Sequence, residues 1–442
     1  MPWVDHAWLR MDRPENLIVV NSVLWTDRPV DDDVMRAVLE ERLIGQFPRF
    51  TQRPEPPRTP FGRAHWVTDE SFDLDRHLVY VTLDPPGDMA ALQQYVGDVQ
   101  HVPLDPALPL WQVHIISGFD AGTAVLSRIH HSVADGIALT RVLLSLTDEQ
   151  PDAGFAPPHD GRSPPLPRRV GRLLSESVST VTHPSRLVQM GSNAVHDAAR
   201  LAHIADLPPK RPSLLNGQVG VAKLATWSEP IALDEVKAIG RACGCTLNDV
   251  MLAALGGAFR RYLVEHGEEP ADVPVLVPVD LRPPDQPLPR ELGNNFGFFF
   301  VNLPVAAADP RERLEVAHAR AEELKSSPEA LVALGVLAGM GISPGPVEDF
   351  GVAFFVTKAS GLVTNVPGPQ QPIYFAGAKV DGVIGWVPRG GDMTFGISIF
   401  SYHGTVRIGV STDAATIPDP EALVAGFQDE LQVLSAAVAQ AV

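Results

Sequence analysis

Residues 151–173 read PDAGFAPPHDGRSPPLPRRVGRL, a stretch dense in proline and short of periodic apolar positions. Proline removes a backbone donor and fixes φ, so no regular element runs through such a stretch. A chain of 442 residues also exceeds what one core ordinarily holds. The break therefore divides the chain into an N-terminal lobe at 1–150, a proline-rich linker and helical crossover at 151–212, and a C-terminal lobe at 213–442.

Both lobes alternate strand-like and helix-like patterns. LIVVNSVLW, HLVYVTL, WQVHIIS and AVLSRIH in the first are interleaved with DDDVMRAVLEERLIGQF and DMAALQQYVGDVQ. A helical stretch is expected near 175–205. In the second lobe, LDEVKAIGRACG has Asp234 as an N-cap candidate and Gly244 as a helix stop. TLNDVMLAALGGAFRRYL opens on Thr246 with Asp249 three residues on, a capping-box variant, and is apolar nearly all round. Strands are expected at VPVLVPVDL, FGFFFVNLPV, GVAFFVTKA, MTFGISIFSY and TVRIGVSTD. Leu423, Phe427, Leu431 and Leu434 then form a core-facing helical stripe. Two mixed α/β lobes suggest an enzyme with its site between them.

Charge excludes some partners. A net charge of −18 argues against nucleic acid, whose phosphates need a basic face, and against an electrostatic grip on anionic membrane. Cys243 and Cys245, separated by one glycine, suit neither a zinc pattern nor a disulfide framework, so a reduced, cytoplasmic chain is expected. The opening MPWVDHAWLRMDRP is charged where a signal peptide is apolar. No apolar run has the length to span a bilayer, and ALVALGVLAGMGI at 330–342 is expected as a buried helix.

Against this background AVLSRIHHSVADG, residues 124–136, stands out: two histidines follow a strand, and an Asp-Gly pair follows them. Histidine exchanges protons near neutral pH. Three uses compete. His131 and Asp135 at i, i+4 could bind a metal, although further ligands of the usual kind are missing nearby. Asp135 could simply N-cap the helix GIALTRVLLSLT. Or a turn presents an imidazole as general base; with no cysteine placed as a nucleophile, the base would activate an acceptor hydroxyl directly.

HHSVADG matches the HHxxxDG motif of the chloramphenicol acetyltransferase-like superfamily, which includes nonribosomal peptide condensation domains and plant alcohol acyltransferases. The chain most resembles the bacterial wax ester synthase/diacylglycerol acyltransferases. The matching blocks are PLW at 109–111, HHSVADG at 130–136, TLNDVMLAAL at 246–255, GNNFGFFFVNLP at 293–304 and TNVPGP at 364–369. That resemblance implies an α/β fold, a mixed-sheet sandwich of two chloramphenicol-acetyltransferase-like lobes with a substrate tunnel between them. Acyl-CoA and the acceptor alcohol would enter from opposite faces.

By the same resemblance His131 matches the catalytic base and His130 its less critical neighbour. Asp135 matches an aspartate that orders the loop through an arginine, for which Arg282 in VPVDLRP is the candidate. Thr364 stands where the family usually has serine, and its hydroxyl would steady a tetrahedral intermediate; such a donor is worth about 2.7–4 kcal/mol elsewhere. Gly136, Trp111, Asn248, Asn295 and Asn365 are expected along the substrate path. Plainer uses compete for several of them. Pro109 and Trp111 could staple the core, Asn248 could belong to a helix cap, and Asn294 and Asn295 could bond a loop. The aromatic run FGFFFV must split between two sheet faces, serving a core or an acyl-chain pocket.

The implied reaction moves a long-chain acyl group from acyl-CoA to diacylglycerol or a fatty alcohol, giving triacylglycerol or wax ester. It uses no metal and no cofactor beyond the acyl-CoA substrate. The alternatives are transfer from a carrier protein to a polyketide- or peptide-like acceptor, and a non-catalytic lipid-binding relative. Insoluble substrates allow peripheral contact of this cytoplasmic chain with the inner membrane face or lipid droplets.

Overall fold

A computed structural model describes residues 1–442 except 58, 60–61, 121, 152–208, 283–288, 326–356 and 440–442. The helix expected near 175–205, the apolar segment 330–342, nearly all of the linker and most of the run 351–359 lie outside the described residues.

The first half contains α1 (Trp3–Arg10), β1 (Val19–Thr26), α2 (Asp32–Val38), β2 (Gln52–Glu55), β3 (His65–Thr68), β4 (Leu78–Thr82), α3 (Met89–Gln100), β5 (Trp111–Phe119), β6 (Gly122–His130), α4 (Gly136–Ser145) and β7 (Thr147–Asp148). The second half begins with β8 (Lys223–Trp227), β9 (Ile231–Ala232), α5 (Leu233–Cys243), α6 (Leu247–Glu265), β10 (Val273–Asp280), β11 (Phe296–Leu303) and α7 (Pro310–Lys325). It closes with β12 (Gly361–Pro367), β13 (Tyr374–Phe375), β14 (Ala378–Trp386), β15 (Phe395–Tyr402), β16 (Thr405–Asp413) and α8 (Pro420–Ala439).

Local chemistry sets the helix ends. Asp31, Asp88 and Asp135 each accept a hydrogen bond from a first-turn backbone N–H, the standard relief for orphan donors there. Thr246 and Asp249 form the reciprocal capping box, and Gly244 ends α5 in the left-handed conformation at φ 68°. Asp234 does not cap α5. Ala232 holds that position without a side-chain bond, and Asp234 sits in the first turn, where its charge suits the helix dipole. Leu423, Phe427, Leu431 and Leu434 are all buried, as their spacing requires.

Two large mixed sheets result, in the orders β4-β5-β6-β1-β14-β13-β7 and β11-β10-β12-β15-β16-β8. The first does not come from residues 1–150 alone. β13 and β14 cross back from the second half, and β14 lies antiparallel to β1 with Trp25 opposite Gly382. Trp25, Val380, Ile384 and Trp386 consequently share one core with the N-terminal strands.

The second sheet has two different faces. Val363, Ile397 and Ile399 pack into a core with α5, α6, α7 and α8. The alternate residues Leu362, Thr364, Ser398 and Phe400 face a cavity shared with the first sheet.

The crossing strand gives a stability test. A Cβ at Gly382 would fall 2.1 Å from Cζ2 of the buried Trp25 indole. Gly382→Ala should therefore destabilise by about 1–3 kcal/mol through overpacking. Urea unfolding reads this directly, and an unshifted midpoint would mean that β14 is not seated on Trp25.

Candidate active site between the two sheets

The cavity has about 1270 Å³ of space free of atoms, including its open part. Its wall is mostly apolar and drawn from both sheets, with Val125, Leu139, Leu143, Phe298, Leu362 and Phe400 among the lining residues. His131, Asp135, Gly136, Thr364 and Asn365 also line it.

His131 follows the end of β6, held by its backbone N–H donating to Ile18 O at 2.8 Å. Trp8 on α1 lies against the imidazole at 4.6 Å between ring centres, and Phe296 lies at 5.3 Å. Nδ1 is buried without a hydrogen-bond partner among the described residues. Nε2 is therefore the nitrogen available to a molecule in the cavity. Burial pushes the imidazole down to about 4, against the pull of Asp135, so it is neutral at pH 7.

His130 points elsewhere. It does not line the cavity, and its Nδ1 accepts from Ser132 N at 3.1 Å. Its Nε2 lies 4.0 Å from Asp12. Burial, with the neighbouring His131 adding to it, holds this ring down to about 3.

Asp135 has every reason to stay put. Oδ1 accepts from Ala138 N at 2.9 Å, capping α4, while Oδ2 accepts from Asn295 N at 2.9 Å and from the Arg282 guanidinium. Arg282 also donates to Asp280 at 3.1 Å and to Gly293 O at 2.7 Å. The pairing anticipated for these two residues is present, with the cap as well. Both carboxylate oxygens thus accept from protein donors, Oδ1 once and Oδ2 twice.

The remaining residues divide. Asn365 lines the cavity and donates to Asn248, which is exposed and does not itself line it. Asn295 acts through its backbone on Asp135. Asn294 bonds a loop: its amide donates to Asp5 at 2.8 Å and to His131 O at 2.9 Å. Trp111 departs from the expected substrate path. Its indole donates to Phe50 O at 2.8 Å and stacks on His77 inside the first core, so it does not meet the cavity. The FGFFFV run splits as β geometry demands: Phe296 and Phe298 line the cavity, while Phe299 and Val301 enter the helix-covered core.

Sequence reasoning missed α1. Trp8 walls His131, and Asp5, buried and pushed up to about 6 by that burial, anchors Asn294. Val4, Ala7, Trp8 and Met11 do follow i, i+3, i+4, i+7, the signal that would have revealed an amphipathic helix. It also missed that Cys245, Asp249 and His318 meet, their donor atoms within 4.8 Å of one another. Capping accounts for much of that cluster, since Asp249 Oδ2 accepts from Thr246 N and lies 2.8 Å from His318 Nδ1.

The Asp135–Arg282 pair is buried, and removing one partner leaves an uncompensated charge at a cost of about 3–5 kcal/mol. Asp135→Asn and Arg282→Gln should each lower the melting temperature, and the double variant should cost less than the sum of the two. Strictly additive losses would show that the two side chains do not interact.

Comparison with known proteins follows the same lines. The model of the wax ester synthase/diacylglycerol acyltransferase catalytic domain matches residues 1–251, and that of the C-terminal domain of the same proteins matches residues 292–435. A putative diacylglycerol O-acyltransferase of Mycobacterium tuberculosis is 31% identical over 436 residues, covering 92% of this chain and 89% of the relative. The O-acyltransferase WSD of Acinetobacter baylyi is 25% identical, covering 99% and 97%. The fold matches the wax ester synthase/diacylglycerol acyltransferase of Marinobacter aquaeolei with a TM-score of 0.72 at 23% identity, covering 99% and 100%. It also matches the starter condensation domain of rhizomide synthetase, at 0.64 and 16%, covering 99% and 93%. With a two-sheet fold, a histidine-lined cavity and family matches over most of its length, the chain belongs to the wax ester synthase/diacylglycerol acyltransferase family.

Proposed function

We propose that the protein transfers a long-chain fatty acyl group from acyl-CoA to the hydroxyl of diacylglycerol, of a long-chain alcohol, or of both. The observation that carries this reading is His131: a neutral imidazole in an apolar cavity, with Nδ1 sealed and Nε2 left to meet a hydroxyl.

In this mechanism Nε2 takes the acceptor's proton as its oxygen attacks the thioester carbonyl. A tetrahedral oxyanion forms, and the Thr364 hydroxyl on the cavity wall donates to it. The C–S bond then breaks, the electron pair leaves with sulfur, and the imidazolium returns the proton to the thiolate. Burial penalises a lone imidazolium, but the oxyanion beside it supplies the opposite charge during the transfer. Asp135 and Arg282 position the turn that presents the base and do not touch substrate. Asn365, held by Asn248, and Gly136 at the start of α4 shape the wall. No metal or organic cofactor takes part in these steps.

The apolar lining suits an acyl chain, and the acceptors dissolve in lipid. The reading therefore includes peripheral contact of a cytoplasmic protein with a membrane or lipid droplet. Among the described residues no single helix is long and apolar enough to cross a membrane, and α5 with α6 passes that test only as a pair bent by 99°. Likeness to condensation domains extends to the fold alone, so transfer from a carrier protein gains nothing from it.

His131→Ala should lower kcat about 10²–10⁴-fold, the usual worth of general-base catalysis, and His130→Ala much less. The wild-type kcat/KM should also stay level as pH falls through 6.5, because His131 gains its proton only near 4. Equal losses in two folded variants, or an acid limb centred at 6.5, would remove His131 from the role.

A further inference from the structure

One cluster of metal-ligating side chains lies outside the cavity and has no part in the transfer described above. Cys245, Asp249 and His318 each place a ligand atom within 4.8 Å of the others. None of the three lines the cavity.

Local structure brings them together. Gly244 turns the chain out of α5 at φ 68°, and Cys245 N then donates to Gly240 O at 2.8 Å. Cys245 therefore sits immediately before the cap of α6, and Asp249 sits in its first turn. His318 comes from α7, 69 residues beyond Asp249 in sequence. Leu314 and Ala317 of α7 pack into one core with α6, which brings His318 to the same end of that helix.

Capping does not use up the cluster. The capping box requires one carboxylate oxygen, and Asp249 Oδ2 serves it by accepting from Thr246 N at 2.8 Å. Oδ1 has no hydrogen-bond partner among the described residues, and Asp249 is only 1% exposed. The carboxylate meets His318 at 2.8 Å, and among the described residues no lysine or arginine joins it. Buried carboxylates ordinarily find a cation or a full set of donors. The Cys245 thiol reaches only Cys243 O, at 3.6 Å. Glu315, three residues before His318 on α7, adds a further negative charge near that thiol.

Access and spacing both suit an ion. Cys245 and His318 are part-exposed, so an ion enters from solvent past them. Tetrahedral bonds of about 2.0–2.3 Å hold nitrogen, oxygen and sulfur donors roughly 3.3–3.6 Å apart. The Asp249–His318 contact would open by about half an ångström, and a turn of the part-exposed thiol and imidazole closes the rest. Thiolate, imidazole and carboxylate together favour zinc over magnesium or calcium, which take oxygen ligands. A fourth position is left for water or for the exposed Glu315.

We propose that Cys245, Asp249 and His318 bind a divalent cation of the zinc class, which pins the start of α6 to α7. Binding releases the thiol proton to solvent, so affinity rises with pH. The adjacent Asn248 holds Asn365 on the cavity wall, so the pinned turn is the one that supports that residue.

The experiment uses the full chain, stripped with a chelator, freed of it and kept reduced, with the metal alone as probe. Zinc is titrated by calorimetry, and cobalt(II) by the charge-transfer absorbance that a bound thiolate gives it. The wild type should take up one ion per chain, show that band and melt higher with zinc than without. Cys245→Ser should abolish the band. Cys245→Ser and His318→Ala should each weaken zinc binding at least about tenfold, the loss that follows removal of a mere orienting partner of a ligand. Cys243→Ser, which alters the exposed neighbouring thiol, should change neither. Melting transitions without metal identify a variant that does not fold, in which case the other supplies the result. A wild type that binds no zinc, or folded variants that bind it as tightly as the wild type, would overturn the site. So would a cobalt band that depends on Cys243 instead.

Discussion

The Asp135 carboxylate ties together parts of the chain that sequence keeps far apart. It caps α4 through Ala138 N, receives Asn295 N from the approach to β11, and pairs with Arg282 just beyond β10. One buried anion thereby fixes the turn after β6 against the second sheet. Asn294 repeats the pattern one residue earlier, bonding Asp5 of α1 and the His131 carbonyl. The imidazole is held by backbone and packing on several sides, which a base needs if it is to meet a substrate without reorganising.

The same enclosure sets its chemistry. Trp8 and Phe296 flank His131 with apolar surface, and its desolvation keeps the ring neutral. Period-two alternation gives the second sheet one face for the helices and one for the cavity, so Thr364 arrives in the wall beside Leu362 and Val366. β14, returned from the second half, extends the first sheet beyond β1 and adds Ile384 and Trp386 to that wall. Cavity and fold are thus built by the same strands.

Much of this was legible in the sequence where a local rule and a function coincide. Asp135 before a glycine and an apolar helix is a cap in any fold, and its place in HHSVADG also pointed to Arg282. Thr246, Asp249 and Gly244 were readable because capping is local. Long-range geometry was not legible in that way. Nothing near residue 382 says that its strand will pair with β1, and Trp111 looked available to substrate until its partners His77 and Phe50 were seen.

The central claim is that acyl transfer passes directly from thioester to acceptor, with His131 as base and no acyl-enzyme. Intact-mass analysis after rapid quench of the protein with palmitoyl-CoA, with acceptor omitted, tests it most directly. Direct transfer leaves the mass of the chain unchanged at every time point. A chain heavier by one palmitoyl group, discharged when diacylglycerol or hexadecanol is added, would contradict it.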